Sequence, residues 1–598
     1  MSRVVTRQTA AEESGQGLRV WIQKRSVLRL VRFALKYRWQ ALCTIVAMVA
    51  VTATGLAGPY LLRLAIDKGI AGKDLHYLGG IAILYLAAGI LGAVLNGLQT
   101  YGMNWVGERV VRDLRDSLFR HLTSLDIDYY SRQRAGWIVS RLTNDIEALE
   151  SLLVEGVAQL VVSTLTLVGA TAILFRMDAH LAGATMSVIP VLLIATVIFR
   201  ARASEAYGRV RVAVADVSVA LQETLSGIRV VQAFRREQRG SEAFAAVNER
   251  NRKANMDTVY ISGAYFPGVE FLSAVATAII LLYGGRQVAA GQISVGILVA
   301  FIGYLSSFFD PVESLSELYN TFQSSGAALQ KVVSVLDTVP GDTEAIGGLS
   351  AGCLEGRLDC ADVSFSYDRG GVDVLESLSL SIPQGQRVAL VGPTGAGKTT
   401  LAKLLLRFYQ PTSGTVFVDG IDLRDYDIRD YRRHVGYVAQ DPYLFSGTIM
   451  DNIRLTEPEA EPARVIEAAT ALGVHELFSN LPEGYETQVQ ERGSRLSAGE
   501  RQLVSFARAF FSEPRILILD EATSSVDPGT EHLIEAALSR LLAGRTSLII
   551  AHRLSTVESS DRILVMEAGH IVEDGDHASL LAAGGPYARL YRTQLRVP

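Results

Sequence analysis

Six largely apolar runs fill the first half of the chain, at Ala41 to Leu62, Leu78 to Leu98, Leu152 to Leu174, Leu181 to Phe199, Val269 to Tyr283 and Val295 to Phe309. The first four approach the roughly 20 residues that a helix needs to cross a bilayer. The last two are shorter and interrupted by Gly or Ser. Hydrocarbon offers a backbone no water to bond to, so runs of this kind fold as helices. Six spans are expected, because an even number keeps the basic N-terminus and the more polar second half on one side of the membrane.

Charge gives the orientation. Arg109, Arg112, Arg115, Arg120, Arg132 and Arg134 follow the second run, and Arg200, Arg202, Arg209, Arg211, Arg235 and Arg236 follow the fourth. Basic connections stay in the cytoplasm. The opposite connections, around Asp67 to His76, Arg176 to His180 and Gly284 to Ser294, are short, so little of the chain would project outside. Asp113 to Leu125, Ile138 to Leu149 and Val212 to Phe234 carry Leu, Val and Ile at helical spacing. The spans are therefore expected to continue past the membrane, with tips at Asp126 to Gly136 and Leu225 to Phe234 that dock onto a soluble domain.

The N-terminal stretch from Met1 to Ser26 has no apolar core and is not expected to be a signal peptide. Leu18 to Tyr37 mixes Val20, Trp21, Leu28, Leu30, Val31 and Leu35 with Lys24, Arg25, Arg29, Arg32 and Lys36, the pattern of an amphipathic helix lying on the inner membrane surface. Glu270, between Phe266 and Phe271, is an intramembrane carboxylate. It is either a functional group for cations or polar headgroups or a hydrogen-bonded structural residue.

A chain of 598 residues exceeds one hydrophobic core. Mean hydropathy is +0.23 although 20% of residues are charged, which fits a membrane region joined to a soluble one. Cys43, Cys353 and Cys360 match no metal or disulfide spacing and are read as inert thiols. Pro340, Gly341, Gly347, Gly348 and Gly352 break the helical pattern, so a helical domain is assigned to 1–338, a linker to 339–352 and a second domain to 353–598. From Leu358 onward, strand-like runs such as Arg387 to Val391, Ile516 to Leu519 and Ser547 to Ile550 alternate with helical segments. That rhythm predicts an α/β fold with a largely parallel sheet.

The chemistry is concentrated in that second domain. Gly392-Pro393-Thr394-Gly395-Ala396-Gly397-Lys398-Thr399-Thr400 follows a strand and opens a helix, with the GxxxxGK[ST] spacing of a phosphate-binding loop. Its glycines let backbone N–H groups face phosphate oxygens. Lys398 would reach the β and γ phosphates of ATP, Thr399 would hold Mg²⁺, and the helix dipole would add positive potential. The apolar strand Ile516-Leu517-Ile518-Leu519 delivers Asp520 beside the metal and Glu521 beside the attacking water.

Between these motifs lies Leu496-Ser497-Ala498-Gly499-Glu500-Arg501-Gln502, which is similar to the signature motif of ABC transporter ATPases. The resemblance extends over the cassette from Leu358 to Leu590. It implies a helix start, with Ser497 and Gly499, that faces the γ-phosphate of a nucleotide held by a second cassette. It also implies that Tyr367 stacks on adenine, that Gln440 touches Mg²⁺ and water, that Asp527 in Ser524-Ser525-Val526-Asp527 crosses the dimer interface, and that His552 contacts the γ-phosphate. Gln490-Glu491-Arg492-Gly493 resembles the exporter-type segment that contacts the helical tips. Ser140 to Asp145 and Leu225 to Phe234 look like the two coupling regions of exporters with six spans.

The implied fold is therefore a membrane all-α six-helix transmembrane domain followed by an α/β P-loop nucleotide-binding domain of ABC exporter type. The signature departs from the usual Leu-Ser-Gly-Gly-Gln at Ala498, whose Cβ crowds a phosphate site, and at Glu500, whose carboxylate would oppose an anion unless it points away. An otherwise complete catalytic set with an altered signature is what one half of a heterodimer would carry. A homodimer tolerating the variant is the alternative.

The resemblance implies ATP-driven export of a hydrophobic or amphipathic drug, lipid or peptide by alternating access, from the plasma membrane of a bacterium with the cassette in the cytoplasm. The partners expected are a second half-transporter, membrane lipids and that substrate, with no nucleic acid. A homodimeric lipid or multidrug flippase and an exporter-like uptake system stand as alternatives.

Overall fold

The computed structural model describes residues 24–341, 347–352, 354–368, 370–520, 528–551 and 553–592. The chain packs into two units that are not colinear with the sequence. One gathers the chain up to Thr123 with Ala135–Thr338, and the other joins Ser124–Arg134 to the chain from Val339 onward.

In the first unit, six helices among the described residues are long and apolar enough to cross a membrane. We label their main segments α1 (Arg38–Leu64), α2 (Leu75–Thr123), α3 (Val157–Met177), α4 (Ile189–Ser226), α5 (Glu237–Ile279) and α6 (Val295–Leu336). The expected extension past the membrane is present: α2 has 49 residues, and at roughly 1.5 Å per residue it reaches about 70 Å, over twice the hydrocarbon thickness. The two runs that look short in sequence belong to helices of 43 and 42 residues. Pro267 and Pro311 lie inside them without ending them. None of the most apolar window of α2 is buried within the chain. Ile83, Leu86, Ile90 and Val94 face outward from it, an arrangement that lipid tolerates and water does not.

With lipid as solvent, helices associate by close packing of small residues rather than by hydrophobic exclusion. The contact between α1 and α6 follows that rule. Gly303 lies against Pro59, where an added Cβ would stand 3.2 Å from the ring, and Ala300 is fully buried one turn away. The Tyr304 hydroxyl donates to the Leu56 carbonyl at 2.5 Å. At the N-terminal end of α6, Asp67 accepts from the Ser294 hydroxyl at 2.6 Å and from the Gly296 N–H at 2.9 Å.

At the opposite end, the helix Lys24–Leu35 presents Leu28, Val31 and Leu35 to the surroundings and buries Leu30. The expected amphipathic helix is thus described from Lys24, and its earlier residues lie outside the described ones. Lys36 and Tyr37 both donate to Asp113 of α2, at 2.6 and 3.0 Å. The Lys36 ammonium, with Arg112, holds the Asp113 carboxyl well below the usual carboxylate range.

Among the described residues the second unit contains ten strands: β1 (Leu358–Phe365), β2 (Leu375–Ile382), β3 (Arg387–Val391), β4 (Ser413–Val418), β5 (Ile421–Asp422), β6 (Val435–Val438), β7 (Ile516–Asp520), β8 (Thr546–Ile550), β9 (Arg562–Glu567) and β10 (His570–Gly575). Five pair in parallel in the order β9-β3-β8-β7-β6, with β10 antiparallel at the edge. The largely parallel sheet is therefore joined by a feature that the sequence reading lacks, a four-stranded antiparallel sheet β2-β1-β4-β5. Cys360 sits buried in it, and burial pushes its thiol up to about 12, the inert state expected. Cys43 is exposed, and Cys353 lies outside the described residues.

The α1/α6 contact generates a test. A Cβ at Gly296 would stand 2.6 Å from the Arg63 carbonyl and collide with the Asp67 carboxylate. Gly296→Val is expected to lower stability by about 1–3 kcal/mol, read as a fall in the unfolding midpoint of the purified protein. An unchanged midpoint would show that the two helices do not need this approach.

Candidate nucleotide site

The phosphate loop joins β3 to the helix α7 (Lys398–Leu405). A buried apolar strand followed by a glycine turn is what allows the chain to reverse while its amides stay turned inward. Gly392 adopts φ +150° and Gly397 φ +103°. A Cβ at Gly392 would collide with the Met566 carbonyl, and one at Gly397 would come within 2.7 Å of Leu375. Neither position admits another residue without moving the strand beside it.

Lys398 is buried at the base of the loop, donating from Nζ to the carbonyls of Gly392 and Pro393 at 2.6 and 2.9 Å. Burial lowers its pKa below the ordinary lysine value, and the Asp520 carboxylate opposes that shift. Thr399 donates to Asp520 at 3.4 Å, so β7 and the start of α7 bring a hydroxyl and a carboxylate together. Hard oxygen donors of this kind fit a Mg²⁺ ion. The loop residues Pro393, Thr394, Gly395 and Ala396 complete the turn, and Ala396 is buried.

Tyr367 stands at one side of this loop. Its hydroxyl lies 3.0 Å from the Thr400 hydroxyl, its ring packs edge-on against Phe365 and Tyr409, and the Lys403 ammonium lies 5.5 Å from the ring centroid. The aromatic pair is also the docking point of the first helical tip. Within Ser124–Arg134, the helix Ile127–Arg132 lays Ile127 on the cassette core. Ser131 accepts from the Tyr409 hydroxyl at 3.1 Å, and Arg132 donates to the Tyr367 carbonyl at 2.9 Å. No sequence signal marked Ser131 and Arg132 individually, because their partners are far away in the chain.

Gln440 is exposed just past β6, with no side-chain hydrogen bond given to it by the described residues. Ser497 and Gly499 open the helix α8 (Ala498–Phe511). Ser497 is its N-cap, accepting from the Glu500 N–H at 3.2 Å, while the Glu500 carboxylate accepts from the Ser497 N–H at 2.7 Å. This reciprocal capping box explains the departure at Glu500: the carboxylate is folded back on its own helix end. The pattern Ser-x-x-Glu in 497–500 already carried that signal. Just upstream, Gln490, Arg492 and Gly493 all adopt positive φ, at +56°, +55° and +70°, a strained turn at the segment resembling the exporter-type one. Glu521, Asp527 and His552 lie outside the described residues, so the structure brings together Lys398, Thr399, Asp520 and Tyr367 and leaves these three unplaced.

Comparison with known proteins follows this geometry. The family model described as the ABC transporter transmembrane region matches residues 41–312, and the one described as ABC transporter matches 375–524. The chain is 37% identical to the uncharacterized ABC transporter ATP-binding protein YknV of Bacillus subtilis (strain 168), over 95% of this chain and 94% of that protein. It is 38% identical to a multidrug efflux ATP-binding/permease protein of Mycobacterium bovis, over 95% of this chain and 47% of that longer one. Among solved structures, a bacterial Atm1-family ABC exporter with ATP bound superposes with a TM-score of 0.78 at 27% identity, covering 93% of this chain and 98% of that one.

At the loop, Gly392→Ala is expected to abolish nucleotide binding, since φ +150° and the Met566 carbonyl both exclude a methyl group. Equilibrium binding of a fluorescent ATP analogue to the purified protein measures this. Affinity equal to wild type would mean that the loop relaxes around the methyl.

Proposed function

The chain belongs to the ABC transporters, as an exporter-type half with six membrane helices and an ATP-hydrolysing cassette, and from that premise we propose that two halves export a hydrophobic or amphipathic substrate by alternating access. The observation that carries this reading is the docking of Ile127–Arg132, which lies between the spans α2 and α3, beside Tyr367 on the cassette. A rearrangement around the nucleotide would reach the spans through that segment. Drug, lipid and peptide are the substrate classes considered, and the multidrug efflux relative supports the first. The site is the inner, plasma membrane of a bacterium, with the cassette in the cytoplasm.

In this reading Lys398 and the amides of 392–397 hold the triphosphate, Tyr367 stacks on the base, and Thr399, Gln440 and Asp520 hold Mg²⁺. The metal would neutralise charge on the β and γ phosphates. Glu521 takes the proton from the attacking water, while His552 and Lys398 stabilise charge gathering on the γ-phosphate. Ser497 and Gly499 of the second half close the site, and Asp527 lies at the junction.

The need for a second half has two supports. The tip Ile228–Ala233 leaves Val230 and Phe234 exposed at 61% and 75%, apolar surface that a further cassette would cover. The multidrug relative, less than half of which this chain spans, is long enough to hold two such regions. We place this chain in a heterodimer, because the Glu500 carboxylate occupies the Ser497 N–H at the point where a phosphate would sit. A partner with an unmodified signature would then complete the more active site.

Expressed alone in lipid nanodiscs, the chain is expected to bind ATP but hydrolyse it slowly, and Glu521→Gln should abolish what Mg²⁺-dependent turnover remains. Rapid hydrolysis by the lone chain would instead establish a homodimer, and turnover unaffected by Glu521→Gln would remove that residue from catalysis. Glu500→Gln retains an acceptor for the capping box and removes the charge. It should raise the lone chain's hydrolysis rate several-fold, since a charge at a helix N-terminus is worth about 0.3–1 kcal/mol; an equal or lower rate would clear Glu500 of weakening the signature.

A further inference from the structure

Within the membrane unit, a cavity of about 570 Å³ opens between α1, α2, α3 and α6, a volume in the range of small-molecule sites. Its walls are mixed. Val51, Ala158, Val162 and Leu318 supply apolar surface, while Asn96, Gln99, Gln159, Ser314 and Thr321 supply amides and hydroxyls. Among the described residues, Glu155 is the sole charged one lining it.

Three independent features mark Glu155. It lies within the apolar run Leu152 to Leu174, where an ionisable group is costly unless it serves a purpose. Among the described residues nothing forms an ion pair with it: no salt bridge reaches it, and no basic side chain lines the cavity. It also sits in a π-helical turn, Leu152–Gly156, closed by the Val157 N–H donating to the Leu152 carbonyl five residues back. Such turns interrupt regular helices where a side chain has to be re-aimed, frequently at functional sites.

The neighbouring amide points to the same chemistry. Gln99 Oε1 is buried and has no hydrogen-bond partner, an acceptor left in want of a donor. A carboxylate without a cation and an acceptor without a donor, set in mixed apolar and polar walls, complement one type of ligand. We propose that this cavity recognises an amphipathic cation bearing N–H groups, with Glu155 selecting its charge. The proposal rests on the exporter reading and names the substrate class of the same membrane unit. Glu155 and Glu270, the carboxylate that the sequence brings forward, are both exposed in the single chain, but Glu270 lies on α5 and does not line this cavity.

The test uses the full-length protein in nanodiscs without nucleotide, with fluorescence anisotropy reporting binding of rhodamine 6G, a cationic xanthene with N–H groups, and of fluorescein, its anionic counterpart. Wild type should prefer rhodamine 6G. Glu155→Gln should weaken that binding by about ten- to a hundredfold, the value of a charged hydrogen bond, and Glu155→Asp should retain most of it. Equal affinity for both dyes, failure to bind rhodamine 6G, unchanged binding in Glu155→Gln, or equal loss in the Gln and Asp variants with both particles monodisperse would each overturn the proposal. ATP-driven dye uptake into inside-out vesicles, compared with Lys398→Ala, tests the exporter reading separately. Glu155-dependent binding without such uptake would sink that reading and leave the site standing.

Discussion

A peptide group inside hydrocarbon must find its hydrogen bonds within the chain, because no solvent offers them. That demand makes each of the six long apolar runs in the first half a helix, and it also governs how the helices meet. Hydrophobic exclusion is lost between surfaces that lipid covers equally well, so the bundle is held by close approach at Gly296, Ala300 and Gly303 and by a few polar clasps such as Tyr304 on Leu56. Once formed, a helix extends at little further loss, since each added residue closes one more backbone bond. Length beyond the membrane is the cheapest way for the spans to reach a soluble partner. The 49 residues of α2 lead directly to Ser124–Arg134, which folds with the cassette rather than with its own helices.

Ser124–Arg134 is held within the cassette unit by side-chain bonds to residues far away in the chain. Arg132 holds the carbonyl of Tyr367, whose hydroxyl meets Thr400 two residues into the helix that the phosphate loop opens. Three side chains thus connect the membrane helices' tip to the loop that would hold phosphate. Ser131 and Tyr409 form a second strand of the same connection. The Arg132 bond is charge-assisted, while the other two join neutral hydroxyls.

What could be read beforehand follows the range of the interaction that fixes each feature. The strands β3, β7 and β8 were legible because parallel strands buried on both faces read as unbroken apolar runs. The strands of the antiparallel sheet were not, since each alternates between core and solvent and β1 is broken by register shifts between Cys360 and Phe365. Lys398, Thr399 and Asp520 were legible as motif positions, and the structure places Thr399 against Asp520. The domain boundary near Val339 marks a change in local pattern, but the return of residues 124–134 to the cassette is a tertiary event with no local mark. Glu155 and Glu270 are both acids in apolar runs; only the packing of four helices distinguishes the one beside a cavity from the one on an open face.

The signature helix shows how stability and function compete for the same few atoms. The first amides of α8 are unpaired within the helix and must be satisfied by a cap, by water or by a ligand. Ser497 and Glu500 satisfy two of them internally, worth about 1 kcal/mol for a capping serine. The Ser497 hydroxyl can accept from the Glu500 N–H and still donate its own hydrogen to a further acceptor. The Glu500 carboxylate has no such second use. Its charge sits where the helix dipole is most positive and neutralises part of the potential that would attract an anion. A glutamine there could close the same pair of hydrogen bonds without the charge. The glutamate therefore makes the helix start more self-sufficient and less receptive to an anion.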